Sequence, residues 1–285
     1  REAMNNATRN QSRKNIRGRY PRKSRTAFML SVCIVIGTLG AVSLGAEDLT
    51  GTEIMERVYN RSEGENMTAS MNMIITNSRG NTRERNIIQY GMTHDKVDKK
   101  IMFFTAPADV RDTSFMTWSY DDGSDDDQWI FLPELRRVRR ISSESKHDSF
   151  MGSDFTYDDL GERHFSEDEH CLIDTEERNG RTVYVVENVP VADDEPFTKT
   201  VSRVLDEIWI VVEREYYNEE GEVYKRLAVD TYDQIDGYWL VTDMTMSSLD
   251  RGSNTRIRMS DVSFDDAALD DNFFSERRMQ RGPRR

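Results

Sequence analysis

Residues 67–76 read MTASMNMIIT, with apolar side chains at every odd position and, apart from Ile74, polar or small side chains at the even ones. Alternation with a period of two is typical of a β-strand that has one buried face. The sequence therefore predicts a half-buried strand whose odd-numbered residues face the core.

Turn signals of the hairpin type recur along the rest of the chain. Each places a glycine after a polar residue, between runs rich in β-branched or aromatic side chains. The four turns are 78–81 (SRGN), 178–181 (RNGR), 219–222 (EEGE) and 235–238 (IDGY). They predict about ten strands joined by short connections. Because strands and helices do not alternate, the sheet is predicted to be antiparallel.

The composition is acidic and poor in cysteine. The 285 residues carry 52 Asp and Glu against 39 Lys and Arg, a formal net charge of −13. Nonspecific nucleic-acid binding needs a basic surface, so we expect no nucleic-acid partner. Two cysteines exclude a disulfide scaffold and a multi-cysteine metal module.

Residues 1–46 form a leader that is first basic and then apolar. Nine basic residues and one acid fall in 1–26, and the uncharged run AFMLSVCIVIGTLGAVSLGA follows at 27–46. This order is typical of a secretory signal peptide, and Gly45-Ala46 resembles its cleavage site. The run is also about long enough for an uncleaved membrane anchor, although its glycines weaken a spanning helix. In either case we expect the remainder to be exported.

The exported part, 47–285, is predicted to be a single domain, because no stretch within it resembles a linker. Cys33 lies inside the apolar run after Val32, which argues against a lipidation site. Cys171 is then the single cysteine of the domain, and we expect it to be a small buried side chain.

Two helices are predicted within this domain. Thr50-Gly51-Thr52-Glu53 has the spacing of a capping box and opens a helix that Gly64 ends. A second helix is predicted at 153–162 (SDFTYDDLGE). The tail is expected to dock Phe273 and Phe274 and to fray after about residue 277.

The common catalytic motifs are missing from the sequence. GxSxG, HExxH, the P-loop and GxGxxG do not occur. Ser143-Glu144-Ser145-Lys146 matches SxxK without its companion motifs. His147-Asp148 and Glu169-His170 could each supply at most half of an acid–base pair. The acidic run 121–127 lacks the spacing of a calcium-binding loop. We therefore predict a protein that is not an enzyme and has no cofactor or bound metal.

Apolar and basic residues indicate binding surfaces instead. Methionine and aromatic side chains in the strand-like runs would suit an adaptable apolar cavity inside a curved sheet. The residues predicted to line it are Met71, Met73, Ile75, Phe103, Phe115, Trp129, Phe131 and Trp209. The one basic cluster of the domain consists of Arg136, Arg137, Arg139 and Arg140. Two interpretations of this cluster stay open, a solvated salt-bridged strand and a patch that docks an acidic partner or a lipid headgroup.

The central stretch 127–160, DQWIFLPELRRVRRISSESKHDSFMGSDFTYDDL, resembles the periplasmic outer-membrane lipoprotein-sorting proteins, which are relatives of the lipoprotein carrier LolA. The likeness extends over 48–280 and includes the opening TGTEIMERV, the segment IMFFTAPADVRDTSFMTWSY and the closing NFFS. The resemblance implies a mainly β (α+β) fold, in which a strongly curved antiparallel sheet forms an unclosed barrel covered by a few helices.

The resemblance also implies a function, that of a periplasmic, monomeric carrier without enzymatic activity. Its cavity would receive the acyl chains of a lipid or lipoprotein for transfer towards the outer membrane, together with an RND-type (MMPL-like) transporter of the inner membrane. The segment 153–162, with Phe155, Tyr157 and Leu160, would be the lid of the cavity. No residues match the contact through which LolA receives its cargo, so the resemblance does not extend to the identity of the cargo.

Two other functions stay open at the level of the sequence. Regulatory stress sensors of the RseB type share the implied fold and bind a membrane-bound anti-sigma factor, but they carry a second domain for which 47–285 leaves little room. A secreted hydrolase would have to use Ser143 or His147.

Overall fold

The structure, a computed structural model, describes residues 49–264 and 269–283. The leader 1–46 and its predicted cleavage site lie outside the described residues. The elements are α1 (Gly51–Tyr59), β1 (Asn66–Thr76), β2 (Thr82–His94), β3 (Val97–Ala106), β4 (Ser114–Tyr120), β5 (Asp127–Leu132), β6 (Arg137–Arg140), β7 (Asp168–Arg178), β8 (Arg181–Pro190), β9 (Lys199–Leu205), β10 (Ile210–Tyr217), β11 (Val223–Ile235), β12 (Tyr238–Ser248), β13 (Ser253–Phe264) and α2 (Glu276–Arg281). The described part thus has 13 strands where about ten were expected.

All these strands form one antiparallel sheet made of two meanders. β1 to β6 run in sequence order from the centre to one edge, and β13 back to β7 run from the centre to the other edge. β1 pairs with β13 at the centre, where Met73 lies opposite Ile257. Among the described strands, β6 and β7 each have one neighbour, so the sheet has two free edges. The predicted unclosed antiparallel barrel is confirmed.

Between β6 and β7 the chain has to pass from one edge of the sheet to the other. Residues 141–167, here called the crossing segment, make this passage through single turns of 3-10 helix and irregular structure. The α-helix predicted at 153–162 is wrong, since the helical part there is the 3-10 turn Asp158–Leu160. Short polar side chains compete with the helix for backbone amides: the Thr156 amide donates to the Asp159 carboxylate at 2.7 Å.

Contacts of the crossing segment show how strongly the sheet curves. Gln128 of β5 donates from Nε2 to the Tyr157 carbonyl at 2.9 Å. Two residues further on, Asp159 binds Lys225 of β11 at 2.5 Å. Seven strand spacings separate β5 from β11, which would be about 34 Å in a flat sheet. The sheet therefore curls until its two halves face each other across the crossing segment.

The concave face of the curled sheet holds the main buried cluster. All odd-numbered residues of β1 from Met67 to Ile75 are buried, which confirms the predicted alternation. β1, β3, β4, β5, β12 and β13 contribute Met73, Phe104, Phe115, Ile130, Met246 and Ile257 to this cluster, among others. Burial of these side chains supplies the main stabilisation of the fold, about 1.5–3 kcal/mol for each large apolar side chain.

The outer face of β3 to β5 is covered by the C-terminal part of the chain. Phe273 and Phe274 are buried against this face, as expected. Met279 of α2 is fully buried too, and its carbonyl accepts a hydrogen bond of 3.1 Å from the Ser114 hydroxyl. The chain therefore stays docked through α2, beyond the position at which fraying was expected.

α1 lies against β7 and β8, near the second free edge. Its predicted capping box is present: the Glu53 amide donates to the Thr50 hydroxyl at 3.2 Å, and the Thr50 amide donates to the Glu53 carboxylate at 2.8 Å. Ile54 and Met55 pack against valines of β8 and β9. Cys171 on β7 is exposed, contrary to the expectation of a buried thiol, because it points to the opposite face from the partly buried His170 and Leu172 on either side of it.

Candidate functional site

Strand register determines which side chains form the floor of the concave face. Ser202 of β9 lies opposite Arg214 of β10, and Arg214 lies opposite Leu227 of β11. Leu227 in turn lies opposite Met246 of β12, which pairs with Thr255 of β13. Directly opposed residues of an antiparallel sheet share a face. A single row therefore crosses five strands, and Arg214 is the one charged residue in it.

Four of the predicted wall residues meet in the concave cluster. They are Met71, Met73, Ile75 and Phe115. The three predicted lid residues contact the same cluster, with Phe155 buried and Tyr157 and Leu160 partly buried. The ring centroids of Phe115 and Tyr157 are 5.7 Å apart. The crossing segment thus lays its apolar side chains directly on these wall residues.

The other four predicted wall residues lie elsewhere. Phe103, Trp129 and Phe131 belong to the outer cluster beneath α2. Successive residues of a strand point to opposite faces, so Phe104 and Ile130 face inwards in their place. The fourth, Trp209, packs with α1 and with Tyr184, whose ring is stacked on it.

Phe150 is a member of the concave cluster that the sequence analysis missed. It is fully buried, and its ring centroid lies 5.1 Å from that of Phe115 and 5.5 Å from that of Tyr157. The apolar pair Phe150-Met151, which follows the polar stretch 142–149, was its signal in the sequence. The apolar underside of the crossing segment therefore begins before the predicted lid.

A cavity of about 380 Å³ remains between the crossing segment and β9 to β12. Small-ligand sites typically have volumes of about 300–1,000 Å³. The apolar part of its lining comprises Phe155, Phe197, Tyr216, Tyr224, Leu227, Met244 and Met246. Its basic residues are His147, Arg163, Arg214, Lys225 and Arg251, and its acidic ones include Asp154, Asp158 and Asp159. The site can therefore hold a small group that has both an apolar and a polar part.

Asp154 anchors the middle of the crossing segment to the β12–β13 hairpin. Its amide donates to Thr255 Oγ1 at 2.9 Å, and the Thr255 hydroxyl donates to Asp154 Oδ2 at 2.8 Å. The Ser253 hydroxyl donates to Oδ1 at 2.5 Å, and Arg251 Nη2 donates to the same oxygen at 3.2 Å. A buried carboxylate needs such donors, so these contacts hold the crossing segment down at this point.

Asp159 anchors the next turn to β10 and β11. Lys225 Nζ donates to its Oδ2 at 2.5 Å, and the Tyr216 hydroxyl donates to its Oδ1 at 3.4 Å. Burial, and then the charge of Asp159, raise the pKa of Tyr216. Tyr216 therefore remains a neutral hydrogen-bond donor.

The far end of the crossing segment is held by Glu162, which pairs with Lys100 of β3. Burial lowers the pKa of Lys100, but the Glu162 carboxylate outweighs this effect and the net shift is upward. Two further carboxyls surround the pair. Burial, followed by the charge of Glu162, raises the pKa of Asp98 to about 6, and burial raises the pKa of Asp126 to about 6.

Among the described residues, the geometry of one group would allow a metal ion to bind. Potential ligand atoms of His147, Asp158 and Glu195 all lie within 4.8 Å of one another. Lys146 and Arg163 already lie 3.3 Å and 3.0 Å from Glu195 Oε1. Two cations beside this carboxylate disfavour a third. We therefore interpret the group as an ion-pair network that ties the crossing segment to the β8–β9 connection.

Other polar residues singled out in the sequence make structural hydrogen bonds. The two ring nitrogens of His170 lie 2.7 Å from the Phe165 carbonyl and 2.8 Å from Asn188 Oδ1. In the acidic run 121–127, the Ser124 amide donates to the Asp122 carboxylate at 3.0 Å, as in a turn.

The four clustered arginines lie at a free edge of the sheet. They are Arg136, Arg137, Arg139 and Arg140, all of them exposed on β6 or on the turn before it. Arg140 pairs with Asp127. The other three have no ion pair within residues 49–264 and 269–283, and Leu135 beside them is 55% exposed. This edge therefore presents free guanidinium groups around an apolar tip.

Solved structures with the same architecture provide the comparison. The chain is 31% identical to an outer-membrane lipoprotein-sorting protein domain from Vibrio parahaemolyticus, with a TM-score of 0.75, covering 81% of this chain and 98% of that one. It is 28% identical to a DUF1329 family protein from Desulfovibrio piger, with the same TM-score and the same coverage. A LolA superfamily protein from Nitrosomonas europaea shares the fold at 17% identity and a TM-score of 0.61, covering 81% of this chain and all of that one.

A family model whose description is that of an uncharacterized protein matches residues 96–281. None of the curated proteins matches the chain. Neither helix of the described residues has the length and apolar composition needed to cross a membrane.

The fold and the site define a class, that of open β-barrel binding proteins whose concave cavity lies beneath a segment of their own chain. Within this class, the chain belongs to the family of outer-membrane lipoprotein-sorting proteins with the LolA-like fold.

Proposed function

We propose that this protein is a periplasmic carrier, not an enzyme, whose concave cavity holds an acyl chain of a lipid or lipoprotein on its way to the outer membrane. One observation carries the proposal: an apolar concave face is covered by a crossing segment that is anchored through polar contacts, with a cavity of about 380 Å³ beneath it. The relationship to a lipoprotein-sorting domain supports the choice of cargo.

Binding and release follow from what occupies the concave face. Each CH₂ group removed from water contributes about 0.8 kcal/mol. A long acyl chain needs more room than the cavity offers, so Phe150, Phe155 and Tyr157 must move aside. Their places are then taken by the cargo, which keeps the apolar contacts nearly constant. Methionine walls adapt to different chains at little cost.

The test is to fill the cavity. In Met244→Trp, a larger side chain occupies the space where the acyl chain would lie, and we expect uptake of a fluorescent fatty-acyl probe to fall about tenfold. The matched control is Thr245→Trp, because this neighbouring residue points to the opposite face of β12. The measurement is probe fluorescence against protein concentration, with lipids of the purified wild type identified by native mass spectrometry.

Equal uptake by the Met244→Trp and Thr245→Trp variants would place the probe outside the cavity. A wild-type protein that carries no lipid and takes up no probe would refute the carrier function. A protein partner of the kind bound by regulatory stress sensors would then have to be sought.

We further propose that the exposed arginines at the β6 edge dock an acidic surface of an RND-type transporter in the inner membrane. A variant with Arg136, Arg137, Arg139 and Arg140 all replaced by Glu should lose co-purification with the membrane fraction of the expressing cell. Arg258→Glu, an exposed reversal on β13, serves as the control. Undiminished co-purification of the fourfold variant would remove this patch from the proposal.

A further inference from the structure

We infer that the ligand of the concave cavity is an anionic amphiphile, and that Arg214 binds its carboxylate or phosphate headgroup. This inference rests on the proposed carrier function and adds to it the chemical class of the ligand. Arg214 lies on the floor of the cavity, in the row of side chains that crosses β9 to β13.

The pairing of the basic residues around the cavity singles out Arg214. Four of them have carboxylate partners: His147 faces Glu195, Arg163 pairs with Asp168 and Glu195, Lys225 with Asp159, and Arg251 with Asp154. Arg214 has no ion-pair partner in the part of the chain that the structure describes. A partly buried charge without a counterion is costly, and a ligand anion would offset this cost.

The guanidinium group is held ready for such a ligand. Its Nε donates to the Ser202 hydroxyl at 3.0 Å. Ser202 is fully buried and also accepts a hydrogen bond of 3.1 Å from Asn188 Nδ2. A guanidinium has five N–H donors. Ser202 takes the one on Nε and the Tyr216 hydroxyl is a second hydrogen-bond partner of the guanidinium, so the remaining N–H groups are the ones that can bind an anion. A fixed fork loses little conformational entropy when it binds a planar carboxylate or a phosphate.

The surroundings of Arg214 also match the rest of an amphiphile. Leu227 and Met246 follow it in the same row, and Met244 lines the same cavity. On the other side, Arg214 borders a second depression, which lies between α1 and β1 to β3 and is lined by many polar residues. Arg214 therefore lies between the apolar side chains of the cavity and a second depression rich in polar residues, which is the position that we assign to a headgroup.

The experiment compares three probes with the same twelve-carbon chain, dodecanoate, dodecyl phosphate and dodecan-1-ol. Each displaces a fluorescent fatty-acyl probe from the full-length chain. We expect at least one anionic probe to bind about tenfold more tightly than the alcohol, since hydrogen bonds between charged groups are the strong ones. The preferred anion then distinguishes a carboxylate from a phosphate ligand.

In Arg214→Gln this preference should disappear while the affinity for dodecan-1-ol stays within about twofold. Arg214→Lys should keep part of the preference for anionic probes, because the positive charge remains although the planar guanidinium is lost. Arg258→Gln, which removes a guanidinium from the exposed side of β13, should keep all of it.

Equal affinity of the wild type for all three probes would overturn the inference and leave the carrier function standing. A preference that survives in a folded Arg214→Gln variant would also overturn it. Absence of binding by every probe would refute the carrier function itself. If Arg214→Gln does not fold, the inference is tested by the other two proteins: the wild type must prefer an anionic probe, and Arg214→Lys must show a weaker preference.

Discussion

Asp126 shows how closely single residues of this protein fit around the crossing segment. Its Oδ2 accepts a hydrogen bond of 3.2 Å from the Glu162 amide. A Cβ atom on Gly161 would lie 2.0 Å from the same oxygen, so any side chain there would displace this carboxyl. The resulting burial raises the pKa of Asp126 to about 6.

The raised pKa predicts how stability depends on pH. A carboxyl that holds its proton more tightly in the folded chain than in the unfolded one makes the free energy of unfolding fall as the pH rises from about 4 to about 6. Asp126→Asn removes this loss and keeps an oxygen acceptor for the Glu162 amide. We expect the free energy of unfolding of the variant to be about 1–2 kcal/mol higher than that of the wild type at pH 7 and equal to it near pH 4.

Urea denaturation between pH 4 and 7 measures this difference. Asp122→Asn, at an exposed turn of the same acidic run, is the control and should show no such gain at pH 7. An Asp126→Asn variant that is less stable than the wild type at every pH would contradict the assignment of the raised pKa.

Residue-level predictions from the sequence succeeded where alternation was unambiguous. The odd positions of β1 point inwards as MTASMNMIIT indicates. β3 and β5 each contain four consecutive apolar residues, 101–104 and 129–132, because helix α2 buries the outer face as well. Where both faces of a strand carry apolar residues, alternation does not show which face is the concave one. Phe103, Trp129 and Phe131 were therefore placed on the wrong face.

Among the elements, α1 is tied to β7 by backbone proximity. A Cβ atom on Gly51 would lie 2.8 Å from backbone atoms of His170 and Cys171. Backbone cannot yield as a side chain can, so Gly51→Ala should lower the free energy of unfolding by about 2–3 kcal/mol. Chemical denaturation measures the loss. The control is Thr52→Ala, at an exposed position of the same helix, which should change the free energy of unfolding by less than about 0.5 kcal/mol. Similar effects of both substitutions would contradict the close contact between Gly51 and β7.

The elements also show why the crossing segment escaped prediction while α1 did not. α1 carries its own capping box, so local sequence alone specifies it. The crossing segment has no regular pattern, and its conformation is determined by distant partners such as Thr255 and Lys225. Its place in the fold follows from the topology, since something must join the two edges of the sheet.

For the whole molecule, excess acid is the dominant electrostatic feature. The chain carries a net charge of −13, and the part from Glu47 onwards has 51 acids against 30 bases. Mutual repulsion among these acids destabilises the compact state, and salt screens it. We expect the midpoint of thermal unfolding to rise when KCl is increased from about 0.05 M to about 1 M. Sorbitol at equal osmolality is the control, and an unchanged or lower midpoint in KCl would contradict the repulsion.

The pairing of β1 with β13 has a consequence for how the molecule is made. This pairing brings together residues such as Met73 and Ile257, which are roughly 180 residues apart in the sequence. Contacts between residues so far apart slow folding. When the chain emerges with its N-terminal part first, β1 to β6 are exposed before β13 is available, and the unpaired side of β1 is then an open template for strands of other chains. The emerging chain is thus most vulnerable to aggregation just before β13 is released, and this is the stage at which a chaperone would protect it best.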